Sequence, residues 1–182
     1  MLKVTMLELQ EVLLLEYSID EDSRGISNRI FSQKEMKNVG IDTEFVEEIS
    51  YHPKAKGTLY GIHFQNHPKA QAKLLYCTKG RILDFAVDLR KESKTYKDWV
   101  CVELSAENKR QIYMPAGFGH AALTLEDNTS IVMKIDNYFD FKLSKAITFG
   151  DAELNVDSGI LNPILSERDK IAPSLKESGC NL

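Results

Sequence analysis

Residues 82–89 read Ile-Leu-Asp-Phe-Ala-Val-Asp-Leu and carry the clearest periodicity of the chain. Large apolar side chains occupy every second position from Leu83 to Leu89, which is the period of a β-strand. The same alternation recurs at 100–104 and 131–135, and turn residues such as those at 78–80 separate these segments. Several short strands joined by turns predict an antiparallel sandwich or barrel.

The chain around this stretch has the length and composition of one globular domain. It contains 182 residues, of which 43% are hydrophobic and 27% are charged. These values exclude disordered, collagen-like and coiled-coil proteins. The longest early apolar run, at 12–15, is far shorter than the roughly 20 residues that a membrane-spanning helix needs. The first residues also lack the pattern of a signal peptide. We therefore expect a single domain over 1–182, located in the cytoplasm and without a membrane partner.

Charge and cysteine content narrow the range of partners. The net charge is −4 and the pI is about 5.6, and no basic stripe is visible, so the sequence predicts no nucleic-acid partner. A small anionic ligand needs only a few local cations and stays possible. Cys77, Cys101 and Cys180 are odd in number, widely spaced and not in a zinc-binding pattern. We expect them to be reduced thiols.

The ends of the chain have their own patterns. Residues 32–39 predict a short helix, with Gly40 at its C-terminal end. Residues 140–182 predict mostly irregular structure, with a short helix near 166–171. The segment 1–31 looks strand-like and apolar, and as a free sheet edge it would favour pairing with another chain.

Two histidines lie in suggestive motifs. Residues 115–120 have the form P-x-G-x-x-H, which is typical of the second half-motif of cupin barrels. Metal-binding cupins also carry an H-x-H pair on an earlier strand, but here residues 61–65 hold only His63. The sequence therefore predicts no metal site. Without a metal, His63 or His120 is suited to act as a general base, although a histidine in such a place can also be a hydrogen-bonded core residue.

The chain resembles the dTDP-4-dehydrorhamnose 3,5-epimerase family in four segments. They are residues 57–65, 71–90, 99–120 and 165–169. The resemblance implies an all-β double-stranded β-helix, the cupin jelly roll, with short peripheral helices. It also implies no cofactor, a nucleotide-diphosphate 4-keto-6-deoxy sugar as substrate, and a homodimer in which residues 1–31 form a strand arm.

The resemblance also assigns roles in the epimerase chemistry, in which a proton is removed next to the C4 ketone and returned to the opposite face. It makes His63 the base, Asp169 the carboxylate that orients it, and Lys73 the cation that stabilises the enolate. Arg24 would meet the diphosphate. The further implied substrate contacts are Gln65, His120, Tyr138, Tyr60 and Met133.

Two departures from the family pattern leave the reaction open. Met133 stands where the family has its proton-donating tyrosine, and a thioether has no proton to give. Proton return is then expected from water or from Tyr138, and inversion at one carbon only. Tyr60 stands where the family has a phosphate-binding arginine, so the nucleotide is open. The sequence predicts an epimerase acting at C3, C5 or both. The alternatives are a ketoisomerase on the same substrate class and a silent cupin that binds a sugar nucleotide.

Overall fold

The computed structural model describes residues 1–182, which form two facing antiparallel sheets. In spatial order, the six-stranded sheet contains β1 (Leu2–Met6), β2 (Leu13–Tyr17), β10 (Gln111–Met114), β7 (Lys73–Lys79), β12 (Ser130–Ile135) and β5 (Glu47–Tyr51). The five-stranded sheet contains β13 (Ser144–Ala146), β6 (Leu59–Gln65), β11 (Phe118–Thr124), β8 (Arg81–Asp88) and β9 (Trp99–Ser105). The strands β3 (Ile19–Asp22) and β4 (Gly25–Asn28) form a separate hairpin.

Helices are short and lie outside the sheets. They are α1 (Gln33–Asn38), α2 (Glu167–Lys170) and a 3-10 turn (Leu175–Glu177). Ser32 and Ser166 cap the two α-helices by accepting a hydrogen bond from a backbone N–H of the first turn. Gly40 follows α1 with a φ of +88°, a backbone conformation that glycine adopts without strain. No helix has the length and apolar character needed to cross a membrane.

The predicted all-β double-stranded architecture with peripheral helices is confirmed. The alternating stretches at 82–89, 100–104 and 131–135 correspond to β8, β9 and β12, and the two predicted helices are α1 and α2. The segment 1–31 contains β1 to β4, of which β3 and β4 are almost entirely exposed. That hairpin is a sheet of its own, whereas β1 and β2 belong to the six-stranded sheet. A dimer-forming role for residues 1–31 stays a prediction.

Three apolar clusters hold these layers. The central one lies between the sheets and joins Ile112, Ile131 and Met133 of the six-stranded sheet to Ile82 and Phe118 of the five-stranded sheet. Its position follows from strand alternation, because one side-chain phase of each sheet must face the other sheet. The cavity described below opens within this layer.

The outer faces of both sheets are also covered. Phe85 and Val87 lie on the face of β8 away from the central cluster, and Leu89 directly after the strand continues that surface. Ile147 and Leu154 of the C-terminal tail belong to the same cluster. The six-stranded sheet is covered by α1 and the segment after it, with Met36 and Ile41 in the third cluster. The irregular tail is therefore a structural layer, and it carries α2 to the mouth of the cavity.

Candidate active site

A cavity of about 190 Å³ opens between the sheets at one end of the central layer. Five of the residues singled out from sequence contribute side chains to its wall. They are Tyr60, His63, Lys73, His120 and Met133. β6 and β11 supply the two histidines, whereas β7 and β12 of the opposite sheet supply the lysine and the methionine. The fold therefore gathers residues that are up to 73 positions apart around one space.

His63 is hydrogen-bonded to a carboxylate from the other end of the chain. Its Nε2 lies 2.6 Å from Oδ1 of Asp169, across a separation of 106 residues. The His63 side chain is 31% exposed and the Asp169 side chain is 4% exposed. Because a carboxylate only accepts, the Nε2–H donates to Asp169, and this leaves Nδ1 of His63 as the basic nitrogen.

Asp169 is fixed by the local structure of α2. Its backbone N–H donates to Oγ of the capping residue Ser166 at 3.1 Å, and that hydroxyl donates to Oδ2 of Asp169 at 2.8 Å. Burial favours a higher pKa for Asp169, but hydrogen bonds from His63 and Ser166 outweigh it and lower the pKa below its ordinary value. The carboxylate is therefore charged at neutral pH and holds one orientation.

His120 is the cross-strand neighbour of His63 and has its own carboxylate. The two histidines are register partners between β11 and β6, and Nε2 of His120 lies 2.8 Å from Oδ2 of the fully buried Asp84. Burial lowers the pKa of His120, although Asp84 acts to raise it. Gly61 permits this close approach of the strands, since a Cβ there would collide with the carbonyl oxygen of His120.

Lys73 places a buried amine beside His63. Its Nζ donates to the carbonyl oxygen of His63 at 3.2 Å, and the residue is 4% exposed. No carboxylate forms a salt bridge with it, and burial lowers its pKa to about 8, against the raising effect of Asp84. An ammonium that is short of partners in a low-dielectric cavity can stabilise negative charge that develops on a bound ligand.

Three of the predicted substrate contacts lie outside the cavity wall. Gln65 is buried, and its amide donates to the backbone carbonyls of Lys69 and Tyr138. The Tyr138 side chain is 67% exposed. Arg24 lies on the β3–β4 hairpin, 88% exposed and paired with Asp22. This chain therefore does not direct the Tyr138 ring or the Arg24 guanidinium into its own cavity.

Sequence reasoning missed three residues at this site. Asp84 lies in the strand at 82–89, where it was taken for a polar residue facing solvent. Its position two residues after the apolar Ile82, and hence on the same face of the strand, could have indicated that it is buried. Arg168 lines the cavity next to Asp169 and donates to Ser144 at 3.0 Å. Tyr51, at the end of β5, also lines the cavity, and nothing in its local sequence marked it.

The arrangement is suited to moving a proton on and off carbon. A histidine held in one tautomer by a carboxylate is the usual general base, and a nearby cation lowers the energy of the resulting anion. No group of three or more His, Cys, Asp or Glu side chains is arranged to hold a metal ion. The candidates for such a proton transfer are His63, Asp169 and Lys73.

Several known proteins are similar to this chain over most of its length. Residues 6–177 match the family described as dTDP-4-dehydrorhamnose 3,5-epimerase. The Shigella flexneri protein of that name is 39% identical over 163 residues, covering 89% of this chain and 90% of its own. The crystal structure of the Bacillus anthracis protein of that name, with TDP and PPi bound, has a TM-score of 0.93 at 36% identity and covers 96% of this chain and 99% of its own.

A third similar structure is that of ChmJ, a 3'-monoepimerase from Streptomyces bikiniensis, in complex with dTDP-quinovose. It has a TM-score of 0.85 at 30% identity and covers 93% of this chain and 86% of its own. The likeness to these three proteins covers between 89% and 96% of this chain.

Proposed function

Because the chain belongs to the dTDP-4-dehydrorhamnose 3,5-epimerase family and is an epimerase, we propose that it epimerises a nucleotide-diphospho-4-keto-6-deoxy sugar next to the C4 ketone, at C3, C5 or both. The observation that carries this proposal is the 2.6 Å contact between His63 and Asp169 in the wall of the cavity. A surface histidine would not need a buried carboxylate with its own hydrogen-bonded support.

The proposed reaction begins with proton transfer from carbon to Nδ1 of His63. The C4 carbonyl makes the adjacent C–H bonds acidic, and the electron pair moves to the C4 oxygen to form an enolate. Lys73 stabilises that charge, and Asp169 stabilises the imidazolium. Proton return to the opposite face completes the inversion. In this scheme His120, held by Asp84, contacts the sugar rather than serving as a second base, because burial lowers its pKa.

We propose that inversion occurs mainly at one carbon. Met133 is 8% exposed and lines the wall across from His63, where the family's proton-donating tyrosine is expected. Without a tyrosine at position 133, the proton must come from a donor placed elsewhere. We expect such a donor to reach one of the two carbons, C3 or C5, better than the other. The name of the similar ChmJ protein, a 3'-monoepimerase, supports the view that this fold can act at one centre.

The nucleotide is proposed to be dTDP, as the names of the similar proteins suggest. Tyr60 occupies the position of a family arginine and lines the cavity, so one phosphate contact is absent there. Arg168 also lines the cavity and is exposed. We propose that its guanidinium supplies part of the charge that the diphosphate needs.

Solvent deuterium exchange tests this function. A dTDP-linked 4-keto-6-deoxy sugar is incubated with the protein in D2O, and proton NMR follows deuterium entry and configuration at C3 and C5. We expect exchange with inversion, unchanged by a chelator. Movement of the carbonyl would indicate the ketoisomerase alternative. Tight binding without exchange on any 4-keto sugar of a panel with different nucleotides would contradict the epimerase proposal and indicate a binding protein.

We also propose that the chain is a homodimer, as its family resemblance implies, and that it works in the cytoplasm, as expected from its three unpaired cysteines. The exposed hairpin offers Ile19 and Ile26, which are 47% and 56% exposed, as apolar surface for a second copy. Light scattering at micromolar concentration is expected to give twice the chain mass of 20.7 kDa. A mass equal to that of one chain would contradict the dimer.

A further inference from the structure

The wall of the cavity that faces His63 is almost entirely apolar. It is built by β5, β7 and β12, whose cavity-lining side chains include Ile49, Leu75, Ile131, Met133 and Ile135. Lys73, on the same sheet, directs its ammonium to the carbonyl oxygen of His63. Among the cavity-lining side chains of β5 and β12, the hydroxyl of Tyr51 is the only O–H group.

Strand register places Tyr51 one diagonal step from Met133. Tyr51 of β5 pairs with Ile131 of β12, and Ile49 pairs with Met133. Residues two apart on a strand point to the same face, so Tyr51 and Met133 are diagonal neighbours on the cavity side of one sheet. A diagonal pair has Cα atoms roughly 7–8 Å apart, which a tyrosine side chain can span.

The ring of Tyr51 is held in place by an aromatic contact. Tyr60 of β6 meets it edge to face, with ring centroids 5.6 Å apart and an interplanar angle of 62°. No hydrogen bond within the protein occupies either phenolic hydroxyl. The substitution of arginine by tyrosine at position 60 therefore creates a packing partner for Tyr51, and the hydroxyl of Tyr51 is free to bond a ligand.

We propose that Tyr51 is the acid that returns a proton to the sugar face opposite His63. This proposal rests on the proposed epimerase function and names the group that replaces the missing tyrosine at position 133. In the step, the O–H bond of Tyr51 breaks as a C–H bond forms at the enolate carbon, and the C4 carbonyl is restored. The imidazolium of His63 then loses its proton to water, and the Tyr51 phenolate takes one from water.

The surroundings of Tyr51 keep it in the donor form. Burial raises its pKa, and Tyr60 and Glu47 act in the same direction, so the phenol is protonated at neutral pH. A protonated phenol facing an enolate donates, whereas Nδ1 of His63 on the other wall accepts. The two walls thus supply opposite halves of one inversion.

The test separates deuterium exchange from inversion. His63 alone can remove a proton and return deuterium to the same face, which labels the sugar without inverting it. Tyr51→Phe removes only a hydroxyl that has no protein partner, so folding is preserved. We expect Tyr51→Phe to lower the rate of inversion by about 10²-fold or more, with exchange that retains configuration still proceeding at close to the rate of the wild type.

Tyr60→Phe is the matched control, because it removes a hydroxyl from the same aromatic pair on the His63 side of the cavity. It is expected to leave the ratio of inversion to exchange unchanged. If Tyr51→Phe inverts the sugar as fast as the wild type does, the assignment of Tyr51 as the acid is overturned. It is also overturned if Tyr51→Phe loses exchange and inversion to the same extent. Wild-type protein that neither exchanges nor inverts any 4-keto sugar would instead contradict the proposed function, and the role of Tyr51 would be overturned with it.

Discussion

The two walls of the cavity differ in how their polar groups are supported. On the five-stranded sheet, His63 and His120 are cross-strand neighbours, and each is bonded to its own carboxylate. On the six-stranded sheet, β5 and β12 present an apolar surface from which the hydroxyl of Tyr51 extends without a protein partner. One wall fixes its two histidines through hydrogen bonds to carboxylates, and the other leaves the Tyr51 hydroxyl to bond only to a ligand.

This difference explains how one wall can change while the other is kept. Replacing a tyrosine by Met133 in an apolar surface leaves no buried polar group unpaired, because Leu75 and Ile49 are its cross-strand neighbours. A methionine at position 63 would leave the buried carboxylate of Asp169 without its histidine partner, which would destabilise the fold. Residues on the wall formed by β5 and β12 can therefore be replaced at little cost in stability, whereas His63 on the opposite wall cannot.

The largest effect is expected from His63→Asn. The variant cannot accept a proton from carbon, so exchange at both C3 and C5 is expected to fall by roughly 10²–10⁴. Binding of the sugar nucleotide, measured by calorimetry, is expected to change by less than about tenfold. Deuterium entry equal to that of the wild type would remove His63 from the mechanism and contradict the contrast between the walls.

Asp169→Asn is expected to have a smaller effect. The amide can still contact Nε2 of His63 but no longer stabilises the imidazolium, so exchange is expected to fall by a smaller factor than in His63→Asn. Ser166→Ala is the milder companion variant, since it removes one hydrogen bond to the carboxylate. Asp169→Asn exchanging at the wild-type rate would show that the base works without its carboxylate.

The lowered pKa of Lys73 leads us to expect opposite pH trends for the exchange rate and for the free energy of unfolding. Enolate stabilisation needs the ammonium, so exchange is expected to fall as the pH rises through about 8, the pKa of Lys73. The folded pKa is lowered, so the unfolded chain binds more protons between about 8 and its ordinary value of 10.5. The contribution of this group to the free energy of unfolding therefore rises over that window and is constant below it.

Lys73→Met separates these effects. We expect the variant to lose the fall in exchange near pH 8 and the stability increment above it, as measured by rate profiles and by urea unfolding. A wild-type profile that stays flat from pH 7 to 9.5 would contradict the assigned role of the ammonium.

The smallest effect is expected from Met133→Tyr, which adds a second phenol to the apolar wall. It is expected to raise inversion at the slower carbon by less than the roughly 10²-fold of a fully placed acid. The same change in the Tyr51→Phe background is expected to recover part of the lost inversion. If wild-type protein inverts C3 and C5 equally and Met133→Tyr leaves that ratio unchanged, Met133 is a packing residue only.

The strands were predictable from sequence because their periodicity is local. The alternation at 82–89 locates β8, yet it does not tell which phase faces the other sheet. The structure places Phe85 and Val87 on the outer face, under the tail, and Ile82 in the central layer. Only the packing of the irregular tail, which has no periodicity to detect, settles that choice.

The candidate site was partly predictable because some of its residues lie in short sequence motifs. His63, Lys73 and Asp169 were found through motifs of a known family, and the structure places them at one cavity. Tyr51 and Asp84 depend on register and on burial within an assembled barrel, which no short motif encodes. Arg24 and Tyr138 were also predicted to contact substrate, yet their side chains lie away from the cavity of this chain.

The origin of Asp169 in the irregular tail has a consequence for biosynthesis. The chain makes His63 first and reaches Asp169 only 106 residues later, which takes roughly 5–20 s at ordinary rates of translation. Every strand of both sheets precedes residue 147, so the nascent sheets can assemble while the histidine still lacks its carboxylate. The pair of His63 and Asp169 is therefore completed late in synthesis, and a polypeptide cut short before Ser166 would lack both this carboxylate and the last part of the tail layer.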